Sequence, residues 1–220
     1  MLAISSIRVG GPDAFEFLQG QLSNDLRRLE TEDEILAAWC NPKGRVIWFG
    51  TVRALNGVYV LSAPAEVADD IARRLAMFRF RAKVEFEVVD EGQTVDPAAL
   101  MQQGYAFIGR DQSEQFTPHM LNLDLLDAVS FDKGCYTGQE VVARTHYKGA
   151  TKRRTLRFAC TSAVAPGDKV QLDGRDVGTV LNAAGTECLA VVPVEHADAA
   201  LTASGAALQR LAVPGLALPG

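Results

Sequence analysis

The sequence has few cysteines and histidines, and their spacing excludes several kinds of site. The four cysteines lie far apart, with no C-x-x-C pair and no neighbouring histidine at metal-ligand spacing. This pattern is typical neither of a zinc site nor of a disulfide framework, and it favours a reducing compartment. It also leaves no self-contained site for an iron-sulfur cluster, which usually takes four thiolates. We therefore predict no resident metal. The cysteines are Cys40, Cys135, Cys160 and Cys188.

Long apolar runs are missing as well. No stretch approaches the roughly eighteen consecutive apolar residues of a membrane helix, and the first six residues lack the basic start and apolar core of a signal peptide. We therefore expect a cytoplasmic protein with no membrane partner. Hydrophobic residues make up 48% and charged residues 22% of the 220 residues, which excludes a disordered or fibrous chain and favours two modest domains.

Charge is unevenly distributed along the chain. The net charge is −5, yet residues 133–157 carry seven basic residues and one acidic residue, Glu140. A basic stretch in an acidic protein suggests a local anion site, whereas a general nucleic-acid binder is usually basic overall. The other interpretation of such a run is a solvated face.

Residues 131–144 combine a thiol, a cation, two glycines and a helix-start signal. Thr137, followed three residues later by Glu140 and an apolar run, predicts a capping box and a helix that begins at about Thr137. Cys135 would then lie just outside a helix N-terminus and close to Lys133. Both the macrodipole and the ammonium group favour its thiolate. The simpler interpretation is a small buried residue in a tight turn.

The same residues match K-G-C-Y-x-G-Q-E at all seven fixed positions, and this motif resembles the signature of the YgfZ family. Other segments resemble that family in the right order and cover most of the chain. They are residues 11–25, similar to a G-x-D-A-x-x-F-L-Q-G-Q opening, residues 40–45, similar to C-x-P-K-G-R, residues 116–124, similar to F-x-P-x-x-x-N-L-D, and residues 147–153, similar to Y-x-G-x-x-K-R.

The resemblance implies a folate-binding relative of the glycine-cleavage T-protein that supports assembly or repair of iron-sulfur enzymes. It implies Cys135 as the reactive thiol, either a transient iron ligand or a redox-active nucleophile, with Lys133 tuning it and contacting anions. The implied cofactor is tetrahydrofolate. The implied partners are iron-sulfur proteins or assembly factors, with tRNA as a further candidate. The residues expected to contact folate or other anions are Lys43, Arg45, Gln102, Tyr136, Arg144, Lys148 and Arg153.

One position departs from the family pattern. Residues 100–106 read L-M-Q-Q-G-Y-A where relatives resemble R-x-E-A-G-x-P, so Gln102 stands where an acid is expected to anchor the pteridine ring. A carboxylate accepts two N–H bonds from an aminopyrimidine edge, whereas a glutamine offers one carbonyl and an NH₂ group. Residues 89–100 also form a shorter segment than in the relatives, which indicates a compact member.

Two alternative functions remain open. The first is an enzyme, a folate-dependent aminomethyltransferase like the T-protein, which needs a carboxylate that Gln102 does not supply. The second is a Cys-His hydrolase in which His146 activates Cys135. His146 lies eleven residues after Cys135, and the short helix and turn between them either bring the two side chains together or hold them apart.

The order of elements predicts an α+β fold, T-protein-like with ferredoxin-like α/β layers, followed by a small C-terminal antiparallel β-barrel. We place the first domain at residues 1–150 and the barrel domain at residues 151–220. In the first domain we predict helices over 14–19, 64–78 and 98–103, strands over 35–40, 45–54, 58–61 and 80–89, and a connector over 90–97. In the second we predict a linker over 152–154, strands over 155–160, 169–172, 177–181, 186–192 and 206–213, and a helix over 195–203.

Overall fold

The computed structural model describes residues 1–149 and 151–217. Its first part is a five-stranded antiparallel sheet made of β1 (Leu2–Gly10), β2 (Ile35–Cys40), β3 (Val46–Leu55), β4 (Val58–Pro64) and β5 (Glu85–Val95). The strands lie in the order β2-β3-β4-β1-β5. Asn56 and Gly57 both have positive φ and join β3 to β4 as a two-residue hairpin, as this dipeptide favours.

Two helices cover one face of this sheet. They are α1 (Ala14–Gln19), which is followed by a short 3-10 helix over Leu26–Glu30, and α2 (Ala65–Ala76). Ile7 and Val9 of β1 are fully buried, because alternate residues of a strand point to the same face. Ile71 and Leu75 of α2 recur at helical spacing and belong to the same buried cluster.

The chain between α3 (Pro97–Gln102) and α4 (Gln139–Lys148) covers the opposite face of the sheet. It runs through successive hydrogen-bonded turns. Leu121 and Leu123 from this segment are buried in one cluster with Phe49 of β3 and Leu189 of the barrel. The segment therefore connects the sheet and the barrel through a shared apolar core.

The last part is a closed six-stranded antiparallel barrel made of β6 (Arg153–Cys160), β7 (Lys169–Leu172), β8 (Arg175–Ala184), β9 (Glu187–Pro193), β10 (Leu201–Ala203) and β11 (Ala206–Leu211). The strands lie in the order β10-β11-β6-β9-β8-β7. Phe158, Val180, Ala190 and Leu201 are buried together within it. A short 3-10 helix over Val194–His196 leads from β9 to β10.

The predicted α+β class and the C-terminal antiparallel barrel are confirmed, but three assignments of secondary structure are wrong. Residues 201–203 form strand β10 where a helix was expected, because they pair with both β7 and β11. The expected connector over 90–97 belongs largely to β5, which continues to Val95 and pairs with Leu2. The expected linker over 152–154 contains the start of β6.

The predicted domain boundary falls at Ala150, which lies outside the described residues, so the division into 1–150 and 151–220 stays a proposal. None of the helices within residues 1–149 and 151–217 has the length and apolar character needed to cross a bilayer.

Candidate functional site

The signature segment leads into α4, but this helix does not begin as predicted. Its N-cap is Gly138, which has a left-handed φ of 84° and provides no side-chain cap. The Thr137 hydroxyl instead donates to Oε1 of Gln21 over 3.3 Å. The predicted capping box with Glu140 is therefore wrong. Thr137 links the signature segment to the N-terminal motif.

Gly138 lies directly against the turn formed by residues 41–45. A Cβ atom built at Gly138 would lie 2.5 Å from the Asn41 carbonyl oxygen and 3.2 Å from Gly44 Cα, and one built at Gly44 would lie 2.9 Å from Val141 Cβ. Both glycines also have positive φ, which disfavours any other residue. Two of the sequence motifs therefore pack in backbone contact, and Lys43 is exposed on the turn beside them.

Lys133 is buried, with 5% of its surface exposed. Its Nζ donates to the carbonyl oxygens of Gln19 and Leu22 at 2.7 Å and of Asn24 at 3.0 Å. Gln19 is the last residue of α1, so the ammonium group binds a carbonyl that the helix end leaves unpaired. Nζ also lies 5.3 Å from the ring centroid of Tyr136.

These contacts correct the predicted role of Lys133. An ammonium group has three hydrogens, and all three are used by carbonyl groups, so Lys133 does not contact an anion in this structure. Burial lowers the pKa of Lys133 to about 8. The side chain fixes the N-terminal motif beneath the turn that carries Cys135. Its influence on the Cys135 thiol stays a prediction.

Cys135 is exposed, whereas Cys40, Cys160 and Cys188 are buried. Burial raises the pKa of Cys40 to about 12, so that thiol stays protonated at neutral pH. Tyr136, next to Cys135, is also buried, and burial raises the pKa of its phenol. Cys135 is thus the thiol that the fold presents to solvent, on a turn held by the buried residues on either side of it.

Two of the predicted anion contacts, Arg45 and Arg153, line one cavity of about 400 Å³ together with Lys169 and Asp111. The Arg45 guanidinium donates to the Gln115 carbonyl at 2.8 Å, and the Arg153 guanidinium donates to the Val177 carbonyl at 2.8 Å. These bonds leave further N–H groups on both guanidinium groups, which carry five donors each. The cavity therefore has the charge and the donors to hold an anionic group.

A second cleft, of about 270 Å³, lies on the sheet face opposite α2. Phe49 and Tyr105 meet edge to face in its wall, with ring centroids 6.3 Å apart. Its charged groups are Glu34 and Arg53, paired at 2.5 Å. Leu100 of α3 lines this cleft. Gln102 is exposed at the end of the same helix and is not among the lining residues.

The largest of these cavities, of about 680 Å³, lies between the end of α4 and the barrel. Arg154 contributes a buried ion pair to it, with its Nη1 and Nη2 bound to Oδ1 and Oδ2 of Asp124 at 2.8 and 2.9 Å. His146 also lines the cavity, and its ring stacks on Phe131 with centroids 3.7 Å apart. Among the described residues Cys135 makes no hydrogen bond to His146, so a Cys-His pair is not formed in this structure.

The basic stretch is only partly a surface feature. Arg144 and Lys148 are exposed on α4, but Lys133 and Arg154 are buried and satisfied by protein groups. The charge available to an external anion is therefore smaller than the sequence suggests.

Comparisons with known proteins assign this chain to a family. A protein of Pectobacterium atrosepticum named tRNA-modifying protein YgfZ is 31% identical to this chain, in an alignment that covers 79% of this chain and 75% of that protein. The chain belongs to the YgfZ family. A second member, the tRNA-modifying protein YgfZ of Serratia proteamaculans, is 27% identical, in an alignment that covers 81% of this chain and 77% of that protein. Residues 152–215 match the family described as CAF17, C-terminal beta-barrel domain.

This YgfZ-family chain also resembles a solved structure, the glycine cleavage system aminomethyltransferase T from Bartonella henselae. The TM-score is 0.71 at 14% sequence identity, and the match covers 97% of this chain and 84% of that chain. At this identity the likeness shows the fold alone, and it confirms the predicted T-protein-like fold.

Proposed function

We propose that this YgfZ-family chain is a folate-binding-type accessory protein that supports assembly or repair of iron-sulfur enzymes, with Cys135 as its working thiol. The observation that carries the proposal is the exposure of Cys135 while Cys40, Cys160 and Cys188 are buried. The names of its relatives, tRNA-modifying protein YgfZ, support a role in which the enzymes served include those that modify tRNA.

A single exposed thiol fits an accessory protein better than a protein that holds a complete iron-sulfur cluster by itself. An iron-sulfur cluster usually needs four protein ligands, and Cys135 supplies one. The remaining ligands of such a cargo would come from the partner, so the cluster would be held only within a complex. The cavity lined by Arg45 and Arg153 gives an anionic surface of such a partner a place to bind.

We expect Cys135→Ser to lower the activity of iron-sulfur enzymes in cells that depend on this protein. The substitution removes the thiol and nearly keeps the size of the side chain. The matched control is the double variant Cys135→Ser/Ser162→Cys, which restores an exposed thiol on a barrel loop away from the signature turn. If iron-sulfur enzymes keep full activity with Cys135→Ser at equal protein abundance, or regain it in the double variant, then a thiol at this position is not required.

The cleft on the sheet face fits the flat ring of a pterin, with Phe49 and Tyr105 in its wall and one carboxylate, Glu34, among its lining residues. A volume of about 270 Å³ suits a ring of that size. Bound tetrahydrofolate would supply a carrier for one-carbon units. In this arrangement Glu34 takes the place that the resemblance assigned to residue 102, because Gln102 points to solvent at the end of α3.

We expect Glu34→Gln to weaken tetrahydrofolate binding about tenfold in a fluorescence titration, the loss expected for one charge-assisted hydrogen bond. The matched control is Glu32→Gln, another arginine-paired acid on the same loop but outside the cleft, which should leave binding unchanged. Gln102→Glu should also have little effect. The proposal fails if tetrahydrofolate binds much more tightly to Gln102→Glu and as tightly to Glu34→Gln as to the wild type. That result would place the pterin edge at residue 102.

A further inference from the structure

His119 is a buried polar side chain whose burial the fold alone does not explain. It is 2% exposed, and neither Nδ1 nor Nε2 has a hydrogen-bond partner among the described residues. Buried polar groups nearly always have a partner, because their desolvation is otherwise uncompensated. A neutral imidazole ring carries a lone pair on one of its two nitrogens. The ring therefore offers a buried ligand atom.

Two more ligand groups lie beside this ring. One ligand atom each from His119, Asp124 and His146 lie within 4.8 Å of one another, and all three residues line the cavity of about 680 Å³. Ligands of a tetrahedral ion at about 2.0–2.1 Å are about 3.4 Å apart. To bind such an ion, the three ligand atoms therefore have to approach one another by little more than 1 Å. The exposed His146, in the last turn of α4, is the member with room to move.

We propose that His119, Asp124 and His146 bind one divalent transition-metal ion such as Zn²⁺, with water from the cavity in the fourth position. Imidazole and carboxylate ligands suit Zn²⁺ and its first-row neighbours, whereas Mg²⁺ and Ca²⁺ prefer sites made of oxygen atoms. Three protein ligands and one open position is the arrangement of zinc sites that keep a water ligand.

The charges around the cluster set the strength and the orientation of this site. Arg154 binds both oxygens of Asp124, and this outer contact fixes the carboxylate as hydrogen-bonded partners do in other metal sites. Each carboxylate oxygen keeps a second lone pair for the metal. The guanidinium charge lowers the affinity for a cation, as does Lys152 at the cavity wall, while Glu195 on the same wall partly offsets them.

The sequence could not reveal this cluster, because His119 and His146 are 27 residues apart and neither has metal-ligand spacing to a cysteine or another histidine. The turns of residues 117–126 and the end of α4 bring them together, with ring centroids 6.0 Å apart.

Calorimetric titration of the metal-stripped full chain with Zn²⁺ tests the proposal. We expect one ion per chain, and at least about tenfold weaker binding in His119→Gln and in His146→Gln, because each loses a ligand. The third histidine, His196, is the matched control, and His196→Gln should bind as the wild type does. His146 is exposed, so His146→Gln remains informative if His119→Gln fails to fold.

Titration with Co²⁺ provides a second measurement, because its visible spectrum reports the ligands. We expect a spectrum of nitrogen and oxygen ligands that is lost in His146→Gln and kept in Cys135→Ser. The proposal is overturned by a wild type that does not bind Zn²⁺, by binding that both histidine variants retain, or by a thiolate-to-cobalt band that disappears in Cys135→Ser.

Discussion

Replacing Lys133 with methionine is expected to lower the free energy of unfolding by about 4 kcal/mol. The ammonium group donates to three carbonyl oxygens, those of Gln19, Leu22 and Asn24. Each buried carbonyl left without a donor costs about 1–3 kcal/mol, and part of this is offset because methionine carries no charge to desolvate. Urea denaturation of both proteins at pH 7, where Lys133 is charged, measures the difference.

The matched control for this experiment is Lys43→Met, the same change at an exposed lysine on the turn that contacts Gly138. We expect it to change stability by less than about 0.5 kcal/mol, as surface substitutions usually do. A loss below about 1 kcal/mol in Lys133→Met would show that the three carbonyl groups find other donors. The structural role assigned to Lys133 would then fail.

The contacts of Lys133 could not be predicted from the sequence. A lysine two residues from a cysteine in a glycine-rich turn is reasonably expected to face an anion, because charged residues are rarely buried. Its actual partners lie more than a hundred residues earlier in the chain. Local spacing contains no information about such a contact. The resemblance did connect the two motifs, but it did not show that one side chain joins them.

The regular elements were predicted where local chemistry decides them. The strands predicted over 45–54 and 58–61 and the helix predicted over 64–78 follow from alternation, turn preference and helical periodicity. They correspond to β3, β4 and α2 of the structure and are confirmed. Predictions failed where tertiary contacts decide. Thr137 binds Gln21 where a helix cap was expected, and residues 201–203 pair in the barrel where a helix was expected.

The residues of the candidate site also divide into those that the sequence identifies and those that only the structure reveals. Cys135 was identified from its motif, and its exposure fits the role proposed for it. Arg45 and Arg153 were named separately, and the structure places them in one cavity. His119 was not identified, because an isolated histidine has no local pattern that marks it as buried without a partner.

Replacing Arg154 with methionine should cost about 3–5 kcal/mol of unfolding free energy, because it leaves the Asp124 carboxylate buried and without its partner. The two side chains are only 5% and 8% exposed. Arg154 also donates to the His119 carbonyl at 3.1 Å, so the change removes a link between β6 and the turns of residues 117–126. Urea denaturation followed by circular dichroism, with chelator present to exclude bound metal, measures the loss.

The double variant Arg154→Met/Asp124→Leu separates the two contributions to that loss. Removing both charges leaves no unpaired ion, so we expect the double variant to be more stable than Arg154→Met alone, with a coupling of about 1–3 kcal/mol. Arg210→Met is the matched control, because Arg210 forms an exposed barrel ion pair with Asp198, and exposed pairs contribute at most about 1 kcal/mol. Equal losses for Arg154→Met and Arg210→Met would show that the buried pair does not join the barrel to the rest of the chain.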